Sequence, residues 1–261
     1  MQTEFNDRFG TIWEGGYYEG NPADPMASSQ YGIFGYHSSL YLTYRCCIKP
    51  FITGNTTILE IGPGRGAWTK TMADLRPRKI YAVDIVDPEY AGFNQYVGQR
   101  ESVKHIVAQD FSLDGVPDNS IDLFFSFGCF CHLKPEMCIS YINALARKMR
   151  ANANGFLMIA DYDKFNACVS DVSGRSIFRA FTHRRFAAVR AAFRLSLKLF
   201  RDKFVQRPLD KFEPDSTEAG AWFHFGAERA CEALRNAGFR IIEADMGINH
   251  RDPVIHFVAQ P

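Results

Sequence analysis

Short apolar runs alternate with amphipathic stretches through the middle of the chain. Thr57-Ile58-Leu59-Glu60-Ile61 predicts a strand, and glycines then lead into a helix over about 67–75. Lys79-Ile80-Tyr81-Ala82-Val83-Asp84 predicts a second strand, 103–107 a third and 121–125 a fourth, followed by a helix over about 135–149. Gly155-Phe156-Leu157-Met158-Ile159-Ala160 predicts a fifth strand. Strands alternating with helices argue for a parallel sheet covered on both faces. The C-terminal end changes the pattern. A helix over about 227–237 stops at Gly238, strands are predicted over 239–244 and 254–259, and His250-Arg251-Asp252-Pro253 turns between them. Two strands joined by a short turn pair antiparallel, because a parallel pair needs a long crossover.

Two segments fall outside this alternation, so the expected layout has three parts. Residues 1–50 form an N-terminal arm or lid that contains a loop rich in Gly, Pro and Tyr. Residues 51–163 and 225–261 form the core. Residues 164–224 form a helical insertion, where Phe186, Val189, Phe193, Leu197, Phe200 and Phe204 recur every three or four positions with arginines on the other faces.

Composition narrows the class. The 261 residues are 46% hydrophobic and 23% charged, and 23 Phe with 11 Tyr exclude a disordered chain. No apolar run approaches the roughly 18 residues of a membrane span. The first residues lack a basic and then apolar leader, and the cysteines number seven, which predicts reduced thiols in a cytoplasmic protein. Cys129-Phe130-Cys131-His132 has neither the usual zinc spacing nor a second ligand pair, so no metal is expected. The net charge of +1 does not point to nucleic acid. It is unevenly spread, with 11 Lys/Arg against 2 Asp between Arg175 and Lys211, and an acidic remainder.

The most informative stretch is Ile58-Leu59-Glu60-Ile61-Gly62-Pro63-Gly64-Arg65-Gly66. Glycines between a strand and a helix let a ligand approach the backbone. The loop alone also fits a dinucleotide fold. Glu60, two positions before Gly62, suits a ligand with an ammonium group and would repel a pyrophosphate. Asp84 ends the second strand, where a carboxylate takes both ribose hydroxyls. Asp110 follows the third strand and can accept from an adenine amino group, or else cap a turn, and Phe111 offers its ring to the base. The set favours S-adenosylmethionine over NAD.

ILEIGPGRG, YAVD, AQDF and NSIDLFFSFGCFCHL together resemble the motifs of class I S-adenosylmethionine-dependent methyltransferases. The resemblance covers about 57–162 and the final helix and hairpin. It implies a Rossmann-like α/β fold with a seven-stranded sheet in the order 3-2-1-4-5-7-6, strand 7 antiparallel. It also implies Gly62, Gly64 and Gly66 against the methionine part, Asp84 on the ribose, Asp110 on the adenine, and Ser126 to Gly128 beside the cofactor. The N-terminal WEGGYYEGNPADPMASSQYGIFGYHSSL, GPGRGAWT and FSFGCFCHL are similar, more narrowly, to methyltransferases of bacterial capsule and surface-polysaccharide gene clusters. Some of those methylate sugar hydroxyls and some make an O-methyl phosphoramidate group.

Methyl transfer to an alcohol needs a proton acceptor near neutral pH. His132, just past the fourth strand, is the candidate base or else caps the following helix. His37 and His224 are further candidates on the acceptor side, with Asp161 and Tyr162 at the end of the fifth strand. Tyr17, Tyr18, Tyr31 and Tyr36 form either a lid or a packed arm. The basic helix has three readings: a solvated face, a cleft wall for an anionic acceptor through Arg184 and Arg185, or a docking face for a membrane surface or a polyanion, while its phenylalanines can cover the sheet or pair two copies. The leading expectation is an O-methyltransferase acting on a small anionic intermediate of surface-glycan assembly. The alternative is an N- or O-methyltransferase of other small-molecule metabolism. Ser126-Phe127-Gly128-Cys129 differs from the Asn/Asp-Pro-Pro-aromatic pattern of amino-directed DNA enzymes.

Overall fold

A computed structural model describes residues 23, 39–167, 223–249 and 252–261. Tyr17, Tyr18, Tyr31, Tyr36, His37 and the basic helix with Arg184 and Arg185 lie outside the described residues.

Seven strands form one sheet. They are β1 (Thr57–Ile61), β2 (Lys79–Asp84), β3 (Val103–Val107), β4 (Ile121–Ser126), β5 (Met149–Met158), β6 (Phe239–Glu243) and β7 (Val254–Ala259). Their order is β3-β2-β1-β4-β5-β7-β6, the Rossmann-like order expected from the sequence. The first five pair parallel, and β7 runs antiparallel to both β5 and β6. β1 is central and all five of its residues are buried, which is why it reads as an unbroken apolar run. β3 lies at the edge and keeps only partial burial.

Helices cover both faces. α1 (Ser39–Thr43) leads into a π-helical turn, Tyr44–Ile48, and α2 (Ala67–Asp74) follows the glycine loop. α3 (Phe93–Val97) follows β2, α4 (Pro135–Lys148) follows β4 and α5 (Ala227–Asn236) precedes β6. α4 starts with Pro135 in its first turn and ends on Arg147 and Lys148, a charge order that suits the helix dipole. One core layer joins Phe124, Tyr141, Leu145, Phe225, Leu234 and Phe257, and the other joins Ile48, Trp68, Met72, Phe125 and Phe156. Gly155 lies under the Phe257 ring, where a Cβ would come within 2.2 Å of it. The glycine thus makes room for that ring at the point where parallel pairing gives way to antiparallel.

Three elements depart from expectation. β5 starts at Met149 rather than Gly155, and its pairing with β4 slips between Ile121 and Leu123. Its first residues mix polar Arg150 and Asn152 with one buried alanine, so they carry no alternation to read. α3 and the 3-10 turn Phe130–His132 are too short to show a helical period.

Candidate functional site

Because β1 to β4 run parallel, the residues that follow them gather at one edge. Gly62, Gly64 and Gly66 all take positive φ, at 75°, 53° and 94°. The loop is tied down at each step. Gly62 N–H donates to the Val83 carbonyl (2.8 Å), Gly64 N–H to Asp84 Oδ2 (3.0 Å) and Gly66 N–H to the Pro63 carbonyl (2.8 Å). A Cβ at Gly62 would lie 2.2 Å from Cys129 Cβ, so neither the backbone angle nor the space admits a side chain there.

Asp84 holds two loops at once. Its Oδ2 takes the Gly64 N–H and its Oδ1 takes the Val86 N–H (3.1 Å). Burial raises its pKa, and the N–H groups of Gly64, Val86 and Ile85 oppose the rise. The Ala108 N–H then donates to the Asp84 carbonyl (2.7 Å), which joins the end of β3 to the same edge. Beside it opens a cleft of about 200 Å³ lined by Val83, Val107, Ala108, Gln109, Asp110 and Leu113. Asp110 is exposed, and its Oδ1 accepts the Ser112 N–H (2.8 Å), the turn-capping role that the sequence left open. Bonds from the Ser112 side chain and backbone hold its carboxyl below the usual range. Phe111 packs T-shaped on Tyr141 of α4, with ring centroids 4.9 Å apart.

Two expected contact residues are supports instead. Glu60 is 2% exposed and accepts a hydrogen bond from the Thr69 hydroxyl of α2. Burial pushes its pKa up to about 8, opposed by the Thr69 bond and reinforced by Asp84. It is a sealed carboxyl under the loop, not a charge facing a ligand. Ser126 is 1% exposed, and its hydroxyl donates to the Ile61 carbonyl (2.8 Å), pinning the start of the loop. Gly128, two residues on, has φ 81° and is partly open.

The residues expected on the acceptor side form a second group. His132 ends the 3-10 turn Phe130–His132 and is half-buried, and its backbone N–H donates to the Cys129 carbonyl (2.9 Å). The N-cap position of α4 is Lys134, two residues on, which makes no side-chain capping bond. The Phe223 N–H donates to the Cys131 carbonyl (2.9 Å), while Phe225 and Gly226 N–H both donate to the Ala160 carbonyl (3.1 Å each). These bonds carry His224 to the end of β5 beside the His132 turn. His224 is exposed, its ring lies against Tyr162 (centroids 4.9 Å apart), and its Nδ1 accepts the Tyr162 N–H (3.1 Å). A ring nitrogen that accepts a hydrogen bond bears no proton, so neutral His224 carries its own on Nε2.

Asp161 has a capping role that the sequence did not show. Its Oδ1 accepts the N–H groups of Asp163 (3.0 Å) and Lys164 (3.1 Å), and its Oδ2 accepts that of Ala227 (2.9 Å). It therefore caps the helical residues 162–167 and the first residue of α5 together. Burial raises its pKa, but those bonds and nearby His224 outweigh it and hold the carboxyl below the usual range. No sequence pattern marks a residue that caps two helices distant in the chain. The sequence reading also missed Cys129 against Gly62, and Ile85, which stands 38% exposed directly after Asp84. A large apolar side chain at the solvent end of a strand was the available signal for Ile85.

Among the described residues, no group of three or more His, Cys, Asp or Glu is arranged to hold a metal ion. None of the described helices is long and apolar enough to cross a membrane.

Residues 59–153 match the family model of a methyltransferase domain. Among solved structures, the chain is similar to the Burkholderia thailandensis 1,6-didemethyltoxoflavin-N1-methyltransferase with bound 1,6-didemethyltoxoflavin and S-adenosylhomocysteine. That likeness has 15% identity, 99% of this chain, 88% of that one and a TM-score of 0.54. An S-adenosylmethionine-dependent methyltransferase from Aquifex aeolicus is similar at 14% identity, 97% of each chain and a TM-score of 0.51. At these identities the likeness is one of fold. No curated protein sequence matches the chain.

Proposed function

We propose that the methyltransferase domain carried by this chain binds S-adenosylmethionine at the carboxyl edge of the sheet. We propose further that it methylates an oxygen of a small anionic acceptor, an intermediate of bacterial capsule or surface-polysaccharide assembly. The observation that carries the cofactor reading is the bond from Gly64 N–H to Asp84 Oδ2, which fixes a bare glycine loop beside a carboxylate. The residues suit the cofactor in kind. Gly62, Gly64 and Gly66 leave the backbone open to its methionine part, Asp84 accepts from ribose hydroxyls, and the cleft at Asp110 and Gln109 takes the adenine.

S-adenosylmethionine supplies a methyl carbon already activated by its sulfonium. What remains for the chain is to align the acceptor at about 3 Å and exclude water. His132 accepts the proton of the acceptor hydroxyl. His224, with its proton held on Nε2 by the Tyr162 N–H, donates to a second oxygen of the acceptor. The anionic acceptor is supported by the density of basic residues in the insertion, where Arg184 and Arg185 would pair with phosphate oxygens.

Thermal unfolding with S-adenosylhomocysteine, NAD and NADP in parallel tests the cofactor. At 100 times its dissociation constant, the ligand that fits adds about 2.7 kcal/mol. Asp84→Ala is expected to weaken S-adenosylhomocysteine by about 1–3 kcal/mol, since two ribose hydroxyls lose their partner. A shift with NAD alone, or undiminished affinity in Asp84→Ala, refutes the reading.

A further inference from the structure

The glycine loop is gripped from its outer side by α3. Gly92, the N-cap of this helix, sits at φ 67°. Phe93 and Val97, each 2% exposed, turn inward. A Cβ on Gly66 would meet Val97 Cγ2 at 2.3 Å and the Phe93 ring at 2.9 Å. From β3 the His105 ring backs Phe93, with centroids 4.7 Å apart. One residue before Gly66, the Arg65 guanidinium lies over the Tyr96 ring, 5.7 Å from its centroid. Arg65 Nε is also 3.8 Å from where a Cβ on Gly92 would stand. Cys129 and Asp84 therefore hold the first half of the loop from inside, and α3 holds residues 65 and 66 from outside.

We infer that Arg65 and Tyr96 form a latch that keeps the glycine loop in its cofactor-receiving conformation, with Tyr96 a positioning residue. The role assigned to the loop rests on the cofactor reading above. Its three glycines give the segment more conformational freedom to lose than other residues at those positions would. If that freedom were lost only on binding, affinity would fall by the ordering cost. The ring under Arg65 removes it beforehand, on the one loop residue whose side chain is long enough to reach α3.

The test uses the full chain and S-adenosylhomocysteine titrated calorimetrically, with amide hydrogen exchange of the ligand-free protein as a second arm. Tyr96→Leu is expected to weaken binding about two- to fivefold, the reach of an exposed cation–π contact, and Tyr96→Phe to restore it. Arg65→Met is expected to weaken binding as much as Tyr96→Leu does, and the double variant no more than either single one. In the ligand-free arm, the Gly64 and Gly66 amides exchange faster in Tyr96→Leu and at the native rate in Tyr96→Phe. Unchanged affinity with unchanged exchange in Tyr96→Leu, or losses that add in the double variant, overturns the latch. Failure of the native chain to bind S-adenosylhomocysteine overturns the cofactor reading instead. The exchange arm then still decides whether Arg65 and Tyr96 hold the loop.

Discussion

His105 makes the fold acid-sensitive at the wall behind the glycine loop. Its ring packs on Phe93 beside Ala82, Val86, Ala91 and Val97, and neither ring nitrogen has a hydrogen-bond partner. Burial lowers its pKa from 6.5 to about 4, and Asp87 opposes the shift only in part. The unfolded chain thus binds a proton that the folded chain refuses. The neutral ring's contribution is fully present above about pH 6.5 and is lost as pH falls toward about 4. At about pH 5 the linkage amounts to roughly 2 kcal/mol, and to about 1 kcal/mol once water at the ring's open edge is allowed for. His105→Phe keeps the ring contact and removes the titration. Urea unfolding of both proteins at about pH 7.5 and about pH 5 isolates the effect, because the carboxylates common to both cancel in the difference. The variant is expected to lose about 1 kcal/mol less than the native chain on acidification. Equal losses would show that the imidazole finds water or a partner on protonation, and the dry wall behind Phe93 would be wrong.

Glu60→Gln keeps an oxygen for the Thr69 hydroxyl but cannot ionise. The native carboxyl is fully compatible with the fold below its ordinary 4.5 and is increasingly penalised as pH rises through about 8. The variant is therefore expected to match the native chain near about pH 4.5 and to exceed it by at least about 1 kcal/mol near about pH 9, read from paired denaturant titrations. Ser126→Ala leaves the buried Ile61 carbonyl without its donor and is expected to cost about 1–3 kcal/mol of stability. A loss below about 0.3 kcal/mol in chemical denaturation would mean that the carbonyl finds another donor.

What could be read from the sequence divides along a physical line. β1 and the glycine loop were legible because burial on both faces writes an uninterrupted apolar run, and a ligand-approached turn writes closely spaced glycines. The antiparallel end of the sheet was legible because the connection from β6 to β7 is too short for a crossover. Residues whose role depends on what lies across the fold were not legible. Glu60 reads as a charge offered to a cation, yet Thr69 and the surrounding burial make it a sealed group that ionises only near pH 8. Asp161 reads as a carboxylate at the ligand edge, and nothing in the sequence tells that it also caps α5 through the Ala227 N–H. α3, with five residues, has too few turns to show a period, although it sets the outer wall of the loop.

The same distinction bears on the acceptor side. His132 and His224 are both histidines at the ligand edge, and position after the fourth strand puts His132 first. The Tyr162 N–H adds a physical reason, because it occupies the one nitrogen of neutral His224 that is not already protonated. To take a proton, His224 would have to give up that bond, and with it the contact that orients its ring at the start of helical residues 162–167. Asp161 is not in a position to compensate, since three backbone N–H groups hold its oxygens. Under the proposed function, His224 donates from Nε2 and the general-base role falls to His132. The two side chains would then act on different atoms of one acceptor, a hydroxyl that loses its proton and a second oxygen that receives a hydrogen bond. That pairing suits an acceptor carrying both a hydroxyl and a further oxygen within reach, the pattern of a sugar or a phosphate-bearing intermediate.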